Sequence, residues 1–400
     1  MFKQRNINFL NKFRENNIWE LILPLSVSLC LLFSMISISL FQIFLTLSFL
    51  LWLFILFRKK QWPRFPSFYW ALIAYVGFSI VASITSFNPE VSFKDSKELL
   101  LFLIVPIVYT ALNRNKDITI ANLAFLVSSY VACLYSLFYF LFNASLEERI
   151  TGFMGHYMTQ AGVLLLFCCI ALSLFFYLKD KTVFLWGFAF ILSLVCLVLT
   201  LTRSAWLGVV VAICLVLFLY RPKILIFVPV ALVLFYLFSP QPVKKRTLSI
   251  FSLKEGSNQY RVEYLKAGVE IIKEYPLFGV GPNIVDMHFQ NPQYNLSEGA
   301  KNNVHLHNNI MQIGAERGIP ALCAWLVFMI WIFISLIKIL RNKNPASYVL
   351  ASAALAALFG FNMAGLFEYN FGDSEVVTIF LYLVTIPFIQ ERILRKKTQA

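Results

Sequence analysis

The chain has 400 residues, of which 59% are hydrophobic and only 14% charged, with 41 Phe and a formal net charge of +14. A soluble domain carries roughly 25% charged residues, so a water-soluble fold is excluded and lipid must cover much of this apolar surface. The positive charge does not point to nucleic acid, because the basic residues come in small groups between apolar runs.

A helix needs about 20 apolar residues to cross the hydrocarbon of a bilayer. Runs of this kind lie near 19–37, 39–57, 66–85, 98–112, 118–142, 157–178, 182–200, 203–220, 223–238, 319–340, 346–366 and 375–390. The first two form one continuous run, too long for a single crossing, which divides near Ser37–Ser39. The fourth is short, and Pro106 is placed to kink it. The expected fold is therefore all-α and integral to a membrane. It has about 12 transmembrane helices and one large loop containing amphipathic helices. Residues 1–238 hold helices 1–9, 239–318 the loop, and 319–400 helices 10–12 with a cytoplasmic tail. The N-terminal apolar stretch is too long for a cleavable signal and lacks a small-residue cleavage site. All seven Cys fall inside apolar runs, which reads as buried small hydrophobes rather than disulfides or a metal site.

Lys and Arg set the orientation. With the N-terminus in the cytoplasm, the inside segments hold 21 of them, from Lys3, Arg5, Lys12 and Arg14 through to Arg392, Arg395, Lys396 and Lys397. The short outside segments hold 4: Lys94, Lys97, Arg149 and Arg203. Both termini are then cytoplasmic and the long loop faces outward. All four His (156, 288, 305 and 307) and 15 of the 20 acids lie on that outer face. No GxxxxGK[ST] phosphate loop and no Asp-x-Asp pair is present. Chemistry on this face needs a substrate that brings its own leaving group.

Four constellations stand out there. Thr202-Arg203-Ser204-Ala205-Trp206 joins two spans with almost no connection, so Arg203 sits at the membrane boundary, either snorkelling to the interface or holding an anion. Asn258 to Tyr264 opens an amphipathic helix with Arg261 in its first turn. Arg261 is a candidate anion ligand, or a solvated cation paired to Glu263 or Glu255. Pro276-Leu277-Phe278-Gly279-Val280-Gly281-Pro282-Asn283 reads as a structural turn that shapes the loop. His305-Leu306-His307-Asn308-Asn309, running on to Gly314 and Gly318, leads straight into the tenth span. On a helix His305 and His307 stand about 200° apart, so only one of them serves a given site. The Gly pair on the His307 face invites another backbone or a ligand to approach closely. His is the side chain best suited to take a proton near neutral pH.

In this order the motifs resemble the O-antigen ligase family, which also includes O-antigen polymerases and protein O-oligosaccharyltransferases. The resemblance rests on Arg203-Ser-Ala-Trp206, Arg261, Phe278-Gly-Val-Gly-Pro282, His307-Asn308 with Gly318, and the segment 365–375, Gly-Leu-Phe-Glu-Tyr-Asn-Phe-Gly-Asp-Ser-Glu. It departs at Ala321, where several members have a second Gly. It implies a multi-pass protein of the bacterial inner membrane that carries out metal-independent, cofactor-free, inverting glycan transfer on the periplasmic face. The implied donor is a glycan on undecaprenyl pyrophosphate, and the implied acceptor a sugar hydroxyl of lipid A–core. His307 is then the general base, and Arg203 and Arg261 bind the pyrophosphate. His305, Asn308, Arg149, His156, Glu368 and Asp373 are further candidates near the same face. Alternative readings are a polysaccharide polymerase, a protein oligosaccharyltransferase, and, outside enzymes, a multi-pass transporter. A transporter calls for polar midplane residues and internal repeats, and neither is seen.

Overall fold

The computed structural model describes residues 19–143, 145–252 and 256–399. The cations at 3, 5, 12 and 14 and the acid at 255 lie outside them. The described residues form helices and turns with no strand. Helices α1 (Trp19–Phe33) and α2 (Ile38–Lys59) are separate, and Ser37 caps α2 by accepting the amide of Leu40, which places the break where the long apolar run was divided. After α3 (Tyr69–Ile84) and the short α4 (Pro89–Asp95), the run at 98–112 becomes a 3-10 stretch, Ser96–Leu103, and a two-turn helix α5 (Ile104–Ala111). Then follow α6 (Asn115–Asn143), α7 (Tyr157–Tyr177), α8 (Thr182–Leu199), α9 (Arg203–Tyr220) and α10 (Val228–Phe238).

Among the described residues, eight helices are long and apolar enough to cross a membrane: α2, α6, α7, α8, α9 and three that close the chain, α13 (Asn309–Arg341), α14 (Pro345–Gly365) and α15 (Ser374–Gln399). Three other apolar segments, Leu21–Phe33, Tyr69–Ile84 and Pro222–Phe238, are shorter. Every predicted run is helical, then, but four fall short of a full span. At the centre of the bundle α7, α14 and α15 are mostly buried, whereas α2 and α8 keep most of their apolar side chains on the outside. The row of buried alanines at 351, 353, 354, 356 and 357 in α14 lets neighbouring backbones approach closely, as small residues do between helices in lipid. No residue of α10 is buried; Phe235 packs against Trp206 of α9, and most of the other apolar side chains lie on the outside.

The segment between α10 and α13 folds onto one end of the bundle. It contains α11 (Gln241–Leu248), α12 (Gly256–Glu274) and the single turns Val285–His288 and Glu298–Lys301. The predicted amphipathic helix is α12. Its buried face, Tyr264, Ala267, Gly268 and Ile271, closes a small second core with Val280, Ile284, Phe289 and Leu306.

Helix α13 kinks at Gly318, whose φ is +77°. The kink and Pro320, which has no N–H, leave carbonyls of the preceding turn without intrahelical donors. The predicted turn at 276–283 supplies them: Val280 N–H donates to Ala315 O at 2.9 Å and Gly281 N–H to Glu316 O at 3.0 Å. In return, Ile319 N–H donates to Pro276 O at 2.8 Å. A Cβ on Gly318 would lie 2.3 Å from Leu277 O, and one on Gly279 2.4 Å from the carbonyl carbon of Glu316. Gly318 thus admits another backbone, as expected of that glycine, while Gly314 meets the side chain of Ile272. Behind the kink, buried Arg317 binds Glu316 at 2.7 Å, Asp95 at 3.0 Å and the Tyr369 hydroxyl at 3.3 Å.

Candidate active site

His305 and His307 are not on a helix, because α13 begins only at Asn309. The expectation that they point apart is therefore overturned. Asn308 is the N-cap, accepting the amide of Met311 at 3.0 Å, and His307 before it holds a left-handed backbone with φ +50°. That conformation is uncommon outside glycine, and such strain costs on the order of 1–3 kcal/mol and collects at functional sites. It folds the two imidazoles together, with ring centroids 4.1 Å apart.

Both rings meet Glu368, in the loop between α14 and α15. His307 Nδ1 lies 3.0 Å from Glu368 Oε2, and His305 Nε2 lies 3.4 Å from Oε1. Burial alone would raise the Glu368 carboxyl. The hydrogen bond from His307, the charge of either imidazole whenever it is protonated, and the fixed charge of Arg261 outweigh it and hold the group at about 2. As a carboxylate it only accepts, so His307 Nδ1 donates to it. Neutral His307 then carries its proton on Nδ1 and presents Nε2 as a free lone pair. The backbone N–H of His307 donates to His305 Nδ1 at 3.2 Å, which leaves the His305 proton on Nε2, toward Glu368. Burial, only partly opposed by Glu368, pushes the His305 imidazole down to about 4, so His305 is neutral at physiological pH.

The loop that carries Glu368 is stapled in place. Asn308 Nδ2 donates to Leu366 O at 3.0 Å, Asn309 Nδ2 donates to Asn370 Oδ1 at 2.7 Å, and Asn309 Oδ1 accepts the amide of Phe371 at 3.1 Å. Asn309 and Asn370 carry no signal in the sequence that marks them as site residues. The consecutive Asn308-Asn309 is the nearest thing to one.

Two arginines connect to this cluster from α9 and α12. Arg203, only 4% exposed, donates through Nη1 to the Ser249 carbonyl at 2.7 Å and hydroxyl at 2.8 Å, and through Nη2 to the Ser257 hydroxyl at 2.7 Å. The Ser249 carbonyl also accepts from Asn258 Nδ2 at 2.7 Å, and Asn258 Oδ1 lies 3.4 Å from Arg261 Nη1. The network thus runs from Arg203 through Ser249 and Asn258 to Arg261. The charge of Arg261 is felt at Glu368. Its partner is not Glu263, which accepts instead from the amide and hydroxyl of Ser297. Arg149 stacks its guanidinium 4.2 Å above the Tyr157 ring and repels Arg261 electrostatically. His156 packs on the same Tyr157 at 4.7 Å and acts electrostatically on His305. Asp373 faces elsewhere: it accepts from the Thr159 hydroxyl at 2.5 Å and caps α15 through the amide of Val376. Burial lifts its carboxyl to about 7 despite the Thr159 hydrogen bond.

The arrangement offers a base, a carboxylate that fixes its tautomer, and a band of fixed positive charge. It also brings together a possible metal donor set that the sequence spacing did not suggest, since ligand atoms of His305, His307 and Glu368 all lie within 4.8 Å of one another.

No curated protein matches the chain. The family described as O-Antigen ligase has a model that matches residues 188–326, a stretch that runs from within α8 to just past the α13 kink and holds Arg203, Arg261, His305 and His307. Members of that family are membrane enzymes of the glycosyltransferase type. The match agrees with the motifs read from the sequence: across residues 188–326 the chain is similar to the O-antigen ligase family.

Proposed function

We propose that this protein transfers a glycan from a polyprenyl pyrophosphate, undecaprenyl pyrophosphate in bacteria, to a hydroxyl of lipid A–core on the periplasmic face of the inner membrane. The observation that carries this reading is the His307–Glu368 pair beside Arg261. The family match supports the substrate class. His307 Nε2 takes the proton of the acceptor hydroxyl as its oxygen attacks the anomeric carbon. The bond from that carbon to the phosphate oxygen breaks, and its electron pair leaves with the pyrophosphate. Direct displacement inverts the anomeric centre. Arg261 and Arg203, with Arg149 next in line, offset the charge that develops on the leaving group, so no metal is needed. Glu368 orients His307 and stabilises the imidazolium once the proton has arrived, the role a buried carboxylate plays behind a catalytic histidine. On this proposal the chain crosses about twelve times, its shorter apolar segments included, with the segment 239–318 outside and donor and acceptor meeting on that face.

The test is transfer from purified lipid-linked glycan to separate acceptors. Product on lipid A–core supports ligation. Product only on a second lipid-linked glycan, or only on a Ser or Thr peptide, replaces it with polymerisation or protein glycosylation. No transfer to any acceptor, with binding of donor intact, removes the enzyme reading.

A further inference from the structure

We propose a second binding site, at the end of the bundle opposite His307, that holds the headgroup of an anionic phospholipid. Helix α13 runs from the histidines to Arg341, and the 23 residues beyond its kink span roughly 35 Å at the usual rise per residue. At that far end, a cavity of about 730 Å³ opens between α5, α13, α15 and the segment leading into α3. Its size is in the range of ligand sites, ~300–1,000 Å³. Its cations are Lys338, Arg392, Arg395 and Lys396, against one acid, Glu391. Glu391 accepts from the Asn342 amide at 3.4 Å. Among the described residues Lys338, Arg395 and Lys396 form no ion pair.

Arg392 is the fixed wall of the site. It stacks 4.3 Å from the Tyr109 ring centroid and donates to the carbonyls of Tyr109 and Leu112 and to Asn113 Oδ1. Its Nε is buried with no hydrogen-bond partner among the described residues. Carbonyls orient this guanidinium without neutralising it. A second cavity of about 320 Å³ shares Arg392 and Lys396 and adds Lys59 and Arg64.

The partner is a lipid rather than a free anion because the other wall is apolar. Trp331 and Phe388 line the cavity, and Trp331 continues into the exposed apolar residues Ile330, Phe333 and Ile334 of α13. The cavity therefore joins a cluster of cations to a stripe of apolar side chains on the outside of α13, and basic pockets between membrane helices recognise anionic lipid headgroups.

The experiment uses the full-length protein in detergent, with native mass spectrometry and thermal melting read against added phosphatidylglycerol, phosphatidylethanolamine and inorganic phosphate. Phosphatidylglycerol is expected to bind and raise the melting temperature. The triple variant K338Q/R395Q/K396Q should weaken it at least tenfold, while R58Q/R341Q/K397Q, which removes equal charge at the same end but outside both cavities, should stay within about twofold. Lys338→Gln alone carries the comparison with Arg341→Gln if the triple variant does not fold. Equal losses in the two variants, or equal binding of phosphatidylethanolamine, would overturn the site. Stabilisation by phosphate alone, with displacement of the lipid, would overturn the lipid assignment.

Discussion

His307 Nδ1 lies 3.0 Å from Glu368 Oε2, although 61 residues and two membrane helices separate them in the chain. The contact fixes the proton of His307 on Nδ1 and leaves Nε2 as the basic atom. His307→Ala should lower transfer by ~10²–10⁴-fold, the usual worth of a positioned general base, with donor binding retained. Glu368→Gln keeps the shape but allows the wrong tautomer. It should lower the turnover rate by an order of magnitude or more with little change in KM. Steady-state kinetics against lipid-linked donor separates the two. If Glu368→Gln raised KM and left turnover intact, Glu368 would be holding substrate rather than the histidine.

Acid should loosen this loop. The folded His305 imidazole sits at about 4, below its ordinary 6.5, because of burial. Its neutral form therefore adds stability that is complete above 6.5 and is lost as pH falls toward 4. Glu368, held at about 2 against an ordinary 4.5, adds stability that is complete above 4.5 and is lost only below it. Between pH 6.5 and 4.5 Glu368 contributes no change, so of these two groups His305 acts, while Asp373, raised by burial to about 7, works in the opposite sense. Hydrogen exchange at residues 303–309, corrected for intrinsic rate, should be faster at pH 5 than at pH 7, and His305→Gln should flatten the difference. An exchange pattern indifferent to pH in the native protein would show that burial of the imidazole does not govern the loop.

The apolar runs and the break near Ser37 were legible because they are local: hydropathy sets the helix and Ser37 caps it. The turn at 276–283 was legible from its Gly and Pro, and its use was not, since the carbonyls it satisfies belong to the kink at Gly318 in another element. The histidines were legible as residue types but not as a pair. Helical spacing would turn 305 and 307 apart, yet the helix starts after the Asn308 cap. Glu368 stood among the secondary candidates because nothing local links it to His307. That link depends on Asn309 and Asn370 meeting across the fold.

Orientation rests on the split of 21 cations inside to 4 in the short outside segments. Lys59, Asn113, Lys396 and Arg392 line one cavity, which gathers several of the basic segments at one end of the bundle. Reporter fusions after Lys60, Arg114, Lys223 and Lys343 should read cytoplasmic, and fusions within 245–300 periplasmic. A cytoplasmic reading for 245–300 would put the candidate site on the face where no lipid-linked donor is expected.

The two arginines should not behave alike. Arg203 is buried and bound to Ser249 and Ser257, so it shapes the segment that carries Arg261. Arg203→Ala should lower thermal stability as well as donor affinity. Arg261→Ala should raise KM for donor with stability nearly unchanged, because its hydrogen bond to Asn258 is long, 3.4 Å. Arg→Lys should rescue either position only partly, since an ammonium lacks the planar fork. Matched losses of stability in both variants would make Arg261 structural too.

Metal removal gives the sharpest test of the chemistry. Two His and a carboxylate are a donor set that suits zinc, and their ligand atoms lie within 4.8 Å of one another. A cation there would take the Nδ1 lone pair of His307, displacing its proton and its bond to Glu368. The remaining proton of a neutral ring would then sit on Nε2, and the ring could no longer accept one from the acceptor. Metal binding and base catalysis at His307 therefore exclude each other. Transfer should survive EDTA undiminished, and micromolar Zn²⁺ should inhibit it. His305→Ala should relieve that inhibition by removing one ligand while keeping the base. Loss of transfer in EDTA, with recovery on adding a divalent ion, would overturn the base assignment and make the three side chains a metal centre instead.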